Sequence, residues 1–405
     1  MAQPVYEKDS ELHAVEHSYR EVRRKTENIC APMHPEDCTV QPAVFVSPPK
    51  WHLAHTTWFF ETFVLKRWAE GYREFHPDFG YLFNSYYETL GKRVARDHRG
   101  ELTRPPLPEI LAYRAHVDEA MVRFLATERS TEPEAASLIE IGLHHEMQHQ
   151  ELLYTDIKYI LGTNPTYPVY HPEAREDRPG PVGERGDLHV NGGTAPVGHT
   201  GAGFSYDNEH ARHKVYLEPF SISAQPVTYG EYIEFIEEGG YRDHRLWHAD
   251  GWDWLHESGV EAPMYMFQKN GTWVRFTLSG LLEVNMDCPV MHVNFYEASA
   301  YAAFAGRRLP TEAEWETASA RFSWGQSWEW TGSAYLPYPG YMQPKGAVGE
   351  YNGKFMVNQM VLRGASPATY PGHSRATYRN FFQPPCQWQF TGIRTAALQN
   401  SLKQT

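Results

Sequence analysis

Residues 134–162 read "EAASLIEIGLHHEMQHQELLYTDIKYILG", and their spacing decides the N-terminal half of the fold. Apolar residues recur every three or four positions along the stretch, the period of one face of an α-helix. Inside it, His145-Glu146-Met147-Gln148-His149 is a literal H-E-x-x-H. On a helix His145 and His149 lie one turn apart on one face, so both imidazoles can share one ion. In a zinc protease with this motif Glu146 would be the general base, and a third ligand would follow downstream. Here "QELLYTDIKYILGTNP" offers no histidine, Glu151 is too near, and Glu173 falls in a Pro- and Gly-rich stretch. The protease reading lacks its third ligand. The bland reading, two polar helix residues, stays open.

Three further stretches carry the same period: "ELHAVEHSYREVRRKTENI" (11–29), "WHLAHTTWFFETFVLKRWAEG" (51–71) and "PEILAYRAHVDEAMVRFLAT" (108–127). Proline punctuates them, with "SPPK" before the second and "TRPPLP" before the third, as suits a helix start. Four amphipathic helices of this length predict a helical bundle over 1–165. The second helix presents His52 and His55 on an otherwise apolar and aromatic face. Packing can bring one of the two beside His145 and His149. Three histidines without a carboxylate leave positions open on an ion, as catalytic metals require. Zinc and ferrous iron both suit such a set.

Beyond the fourth helix the composition changes. Residues 166–188, rich in Pro, Gly and charge, read as a linker. Residues 189–399 are Gly- and Trp-rich, with short β-like runs ("HKVYLEPFSI", "WVRFTL", "QMVLRGAS") and two helical stretches, "TYGEYIEFIEEGG" and "YEASAYAAFAG". That pattern predicts an irregular α+β domain, with loops that make a binding platform. The 405 residues and their 41% hydrophobic content suffice for two cores. A net charge of -13 argues against nucleic acid or an anionic membrane as partner. There is no run of 18 apolar residues and no apolar segment at the start, so neither a spanning helix nor a signal peptide is expected. Four cysteines without a CxxC pair suit reduced thiols in the cytoplasm. The 12 Trp and 25 Tyr suit packing, and equally a pocket for a cationic or planar ligand.

The collinear set "SPPKWHLAHTTWFFETFVL", "HHEMQHQELL", "NEHARHKVYLEPFSI", "PVTYGEYIEFIEEGGY", "RRLPTEAEWE", "WEWTGSAYLPYPG", "VGEYNGKFMVNQMVLRGAS" and "YRNFFQPPCQWQFTGIR" resembles the sulfoxide synthases of ergothioneine biosynthesis, the hercynine oxygenases. The resemblance implies a DinB-like four-helix bundle followed by a formylglycine-generating-enzyme-like domain of C-type-lectin-like fold. It implies iron(II) held by His55, His145 and His149, with His52 as a packing or supporting residue and Glu146 as an exposed or supporting carboxylate. It implies O2 as oxidant, and a thiol joined as a sulfoxide to the imidazole carbon of hercynine, Nα-trimethylhistidine.

By position, Gln148 matches a glutamine that contacts the hercynine imidazole, and Asn380 an asparagine that helps hold hercynine. Phe381 and Phe382 offer aromatic faces to the trimethylammonium. "LFNSYYETLG" resembles the branch that draws its active-site tyrosines from the bundle, so Tyr86 and Tyr87 become the candidate proton and electron donors. Relatives that use γ-glutamylcysteine carry an Asp soon after the asparagine and an Arg further on. Here Phe382 takes the first place and "QPPCQW" has no Arg, which favours free L-cysteine. Arg93, Arg96 and Arg104 are the candidate partners of its carboxylate. "TASARFSWGQS", between "RRLPTEAEWE" and "WEWTGS", is shorter than the family pattern, and Cys386 reads as a buried small hydrophobe. The rival expectations are γ-glutamylcysteine as donor, a related histidine or selenium-transfer synthase, a metal-bound binding or sensor protein, and a zinc protease.

Overall fold

The computed structural model describes residues 5–85, 91–177, 186–201, 203–344 and 352–399, without the side chains of 5–12. Two compact units result, Met1–Thr166 and Tyr167–Thr405.

The first unit is built on four long helices: α1 (Val5–Cys30), α2 (Pro49–Phe60), α5 (Leu107–Leu125) and α6 (Pro133–Gly162). Two short helices, α3 (Lys66–Trp68) and α4 (Phe79–Phe83), lie between the second and third of these. Pro49, Pro133 and the Pro106–Leu107–Pro108 run stand at helix starts, where a missing N–H costs nothing. Every residue of α2 from Pro49 to Phe60 is buried. A helix that is apolar all round belongs inside, and α2 packs against both α5 and α6. Gly142 permits the close approach to α6, since a Cβ there would stand 2.6 Å from a ring carbon of Phe60 and 2.9 Å from one of Phe59. One π turn, Glu61–Leu65, joins α2 to α3. The Glu61 carboxylate accepts from Tyr72, Tyr113 and the Phe75 amide. Among the described residues no helix is long and apolar enough to cross a membrane.

The second unit has mixed sheets and short helices. One four-stranded sheet is ordered β1 (Asp187–Val190), β4 (Phe220–Ser223), β13 (Ala396–Ala397) and β8 (Arg307–Arg308). A second is ordered β11 (Asn380–Phe382), β10 (Met360–Gly364), β9 (Trp328–Ala334) and β12 (Thr391–Gly392). β2 (Gly193–Val197) pairs with β3 (His213–Leu217), and β5 (Met266–Lys269), β6 (Thr272–Thr277) and β7 (Gly280–Glu283) form a meander. The run "HKVYLEPFSI" is therefore two strands in two sheets, broken at Glu218–Pro219, because proline has no N–H to give a ladder. The helices are α7 (Tyr229–Glu237), α8 (Ala249–Ser258), α9 (Phe295–Phe304) and α10 (Glu312–Ala318), of which α8 and α10 were not expected from periodicity. α7, α9 and α10 each start on a reciprocal cap: Thr228 with Glu231, Asn294 with Glu297, Thr311 with Glu314. Of the stretch read as a linker, Tyr170 and His171 donate to the Leu278 carbonyl, and buried Glu176 pairs with Arg275 at 3.1 Å.

Candidate metal centre

His55 sits in the middle of α2, fully buried between two indoles. Trp51 stacks on it at 4.5 Å and 14°, Trp58 at 5.5 Å and 16°. Helical spacing makes this sandwich, since Trp51 and Trp58 stand four before and three after it. The Nδ1 of His55 lies 2.6 Å from the Phe83 carbonyl oxygen. A carbonyl only accepts, so Nδ1 carries the proton and Nε2 keeps its lone pair. That Nε2 is buried and has no hydrogen-bond partner among the described residues.

Across the helix interface His145 and His149 meet it. Ring centroids are 4.9 Å apart for His55 and His145, 4.8 Å for His55 and His149, and 4.6 Å for His145 and His149. One nitrogen from each falls within 4.8 Å of the others. Burial pushes the protonation of all three down, His145 to about 3 and the other two well below the usual imidazole range. All three are therefore neutral ligands at neutral pH. A buried cluster of neutral imidazoles, one with an unsatisfied and correctly fixed Nε2, fits a divalent transition metal. The protein supplies no fourth donor of the same cluster among the described residues, which leaves positions for reactants.

His52, one turn before His55, is not a member. Its Nδ1 is 2.8 Å from Nδ1 of His149, and its Nε2 is 3.0 Å from Oδ2 of Asp156. The same oxygen accepts the Ser47 amide at 2.9 Å. This agrees with a supporting role. Glu146 is a correction: it is not exposed. Its carboxylate is fully buried and accepts from Arg23 at 2.8 Å, Arg114 at 2.5 Å and Thr26 at 2.6 Å. Burial alone would raise its pKa, but the two guanidinium groups and the Thr26 hydroxyl outweigh it and hold the group down at about 2. An anion committed to three donors on α1 and α5 is a structural tie, and no base for a protease.

Gln148 is half-buried on α6 next to His149. Arg93 is half-buried; Arg96 is exposed and donates to the Phe45 carbonyl; Arg104 is exposed and donates to the Thr103 carbonyl at 3.1 Å. Tyr86 and Tyr87 lie outside the described residues. Arg99, which sequence reasoning passed over, packs beside the cluster. It is buried, with Cζ 3.4 Å from the Trp51 ring centroid, and donates to Ser47 Oγ at 2.8 Å and Ser85 Oγ at 3.0 Å. Asp156 was passed over too. Its signal was available: it stands seven residues after His149, two turns along the same face.

In the second unit Asn380, Phe381 and Phe382 form β11, paired with β10 in the register Leu362–Asn380, Val361–Phe381, Met360–Phe382. Alternation puts Asn380 and Phe382 on one face and Phe381 on the other. Phe381 stacks on Tyr335 at 4.0 Å and 11°, with Phe355 at 6.0 Å. One face of the half-buried Phe381 ring is therefore taken by Tyr335. Phe382 meets Trp388 edge-on at 5.7 Å. Asn380 Oδ1 accepts the Phe381 amide at 3.0 Å, and Cys386 is half-buried, less enclosed than expected.

Comparison with known proteins agrees with both halves. Residues 18–153 match the DinB superfamily, and residues 175–327 the sulfatase-modifying factor enzyme 1-like domain. The chain is 30% identical to the hercynine oxygenase of Mycolicibacterium smegmatis, over 87% of this chain and 91% of that one. It is 31% identical to the hercynine oxygenase of Mycolicibacterium thermoresistibile, over 68% and 74% respectively. The formylglycine-generating enzyme of Streptomyces coelicolor matches at 32% identity over 36% of this chain and 54% of its own length. With a DinB region, a sulfatase-modifying-factor-like region and 30% identity sustained across 87% of its length, the chain belongs to the hercynine oxygenases, the sulfoxide-synthase family of ergothioneine biosynthesis.

Proposed function

We propose that this protein is an iron(II)-dependent oxygenase that joins the sulfur of L-cysteine to the imidazole carbon of hercynine, with O2 as oxidant. The observation that carries this reading is the buried meeting of three neutral imidazoles on α2 and α6. The reaction balances. The imidazole C–H and the thiol S–H are lost and a C–S bond forms. One oxygen atom ends on sulfur as the sulfoxide, and the other leaves as water with the two hydrogens.

His55, His145 and His149 hold the iron, which supplies O2 binding and activation and a docking point for the thiolate. The protein's own residues do the rest. Trp51 and Trp58 clamp His55 in one orientation, and the Phe83 carbonyl keeps its Nε2 a lone-pair donor. Gln148 hydrogen-bonds the hercynine imidazole. In the second unit Asn380 and Phe382 share one face of β11, a hydrogen-bonding side chain beside an aromatic ring that suits a trimethylammonium group. Tyr86 or Tyr87 gives a proton from its phenol oxygen. Arg93, Arg96 and Arg104 are the candidate partners of the cysteine carboxylate, with Arg93 the more enclosed of the three. Ferrous iron and a free thiol both call for a reducing compartment, so we place the reaction in the cytoplasm.

The test is O2 uptake by anaerobically Fe(II)-loaded protein given hercynine with cysteine or with γ-glutamylcysteine, with products weighed by mass spectrometry. A hercynyl-cysteine sulfoxide formed in step with O2 uptake is expected. Turnover with γ-glutamylcysteine alone would overturn the choice of thiol, and turnover with neither would overturn the reaction.

A further inference from the structure

Two of the three candidate ligands have a visible means of fixing their tautomer, and the means differ. For His55 it is a backbone carbonyl, which no side-chain substitution removes. For His149 it is a pair of side chains. We propose that Asp156 and His52 form a positioning relay that sets the tautomer and orientation of His149, and through them the metal affinity of the site. The proposal rests on the metal-site reading above and adds two residues to it.

The direction of each hydrogen bond follows from what each atom can do. Oδ2 of Asp156 receives the Ser47 amide and faces Nε2 of His52 at 3.0 Å. A carboxylate oxygen has no proton to offer, so Nε2 of His52 donates. The opposite tautomer would set a nitrogen lone pair against that oxygen, inside a site where both side chains are only 2% exposed. His52 Nδ1 is then an acceptor. It lies 2.8 Å from Nδ1 of His149, which must donate. His149 is left with its lone pair on Nε2, the same atom that the Phe83 carbonyl leaves on His55. One arrangement of protons satisfies the whole chain from Ser47 to His149.

The relay also ties the two helices. His52 and His55 are both on α2, while His149 and Asp156 are both on α6. Each helix thus gives at least one candidate ligand, and α2 gives the support of His149 on α6. Asp156 is itself anchored from Ser47, just before α2 begins. A displacement of one helix along the other would break the chain, so the metal site and the helix register hold each other. Metal-bound histidines generally donate their other nitrogen to an outer partner, and loss of that partner costs about 10- to 100-fold in metal affinity. Here the partner is an imidazole backed by a carboxylate.

The experiment measures Co(II) and Fe(II) affinity by competition with a chromophoric chelator, the visible spectrum of bound Co(II), and the melting temperature of metal-free protein. It compares the unaltered chain with His52→Leu, His52→Gln and Asp156→Asn. His52→Leu is expected to weaken binding by about 10- to 100-fold and to alter the Co(II) spectrum. His52→Gln is expected to restore most of the affinity, since an amide oxygen can accept from Nδ1 of His149. Asp156→Asn keeps an oxygen that can accept the same two bonds, so its loss is expected to be only a few-fold. Binding by His52→Leu within twofold of the unaltered chain, with an unchanged spectrum, would overturn the relay. So would equal losses in the Leu and Gln variants that simply follow their melting temperatures. If the unaltered chain takes up no metal, or His145→Ala takes up as much, the metal-site reading itself is what fails.

Discussion

His145 and Glu146 are neighbours on α6, both buried, and they meet two different interiors. Glu146 meets charge: Arg23 and Arg114 on α1 and α5, with Thr26 completing its hydrogen bonds. It stays ionised because partners outweigh desolvation. His145 meets the rings of His55, His149 and Phe59, and it stays neutral because burial is not outweighed. The same burial therefore makes a structural ion pair on one side of the helix and a set of neutral imidazoles able to hold a metal on the other. The difference lies in what the facing helix supplies.

Replacing a residue on the ring side should abolish chemistry and leave the fold. After loading with Fe(II), His145→Ala is expected to hold near no iron where the unaltered chain is expected to hold one, and to lose turnover by at least about a thousandfold, or about 4 kcal/mol of barrier. Metal analysis beside the circular dichroism spectrum checks both halves, and a variant that keeps its iron would break the comparison. On the charged side the order reverses. Glu146→Gln takes the buried carboxylate from Arg23 and Arg114, which keep only the more exposed Asp118 and Glu27, and it is expected to cost about 3 kcal/mol in urea unfolding while retaining metal. Loss of metal without loss of stability would sink the structural assignment of Glu146.

Acid sharpens the contrast. The folded pKa of His145 is depressed to about 3 from 6.5, so the unfolded chain takes up a proton below pH 6.5 that the buried ring refuses. Its contribution is fully present above pH 6.5 and is lost as pH falls toward about 3, at about 1.4 kcal/mol per pH unit. Glu146 acts in the same direction but lower, between 4.5 and about 2. Metal-free His145→Gln should therefore show a shallower fall of stability between pH 6.5 and 5 than the unaltered protein; parallel curves would count against a buried neutral ring. The smallest effect concerns the strand. Phe382→Ala is expected to raise KM for hercynine about fivefold with little change in melting temperature, the value of an exposed cation–π contact. Phe381→Ala, which removes a ring stacked on Tyr335, should do the reverse. Equal effects on KM would show that the alternation of β11 does not sort the two rings.

Helices were the legible part of the chain. Their signal is a period of 3.6 within one stretch, and all four long helices of the bundle stand where that period places them. The i, i+4 pair was legible for the same reason. Arg99 was not, and of Asp156 only its place on the His149 face was, because their partners lie far along the chain: His52 is 104 residues before Asp156, and Ser47 is 52 before Arg99. The second unit was legible in class and poorly legible in detail. β13 is two residues long and sits between β4 and β8, from opposite halves of the unit, with no local pattern to announce it. Helix α10 is seven residues, too short for a period to declare itself.

What the sequence by itself determined is the local chemistry: four helices, two histidines one turn apart on one of them, and two more on another. Periodicity and spacing are properties of neighbours, and a single chain carries them openly. Which of His52 and His55 turns its nitrogen into the cluster, and that Glu146 is tied to arginines, only the packing decided. Gly142 lets α2 come close to α6, and that approach puts His55 against His145 while leaving His52 to brace His149. A donor becomes a ligand, a support or an ion pair according to what is packed against it, and that is set across helices and not along them.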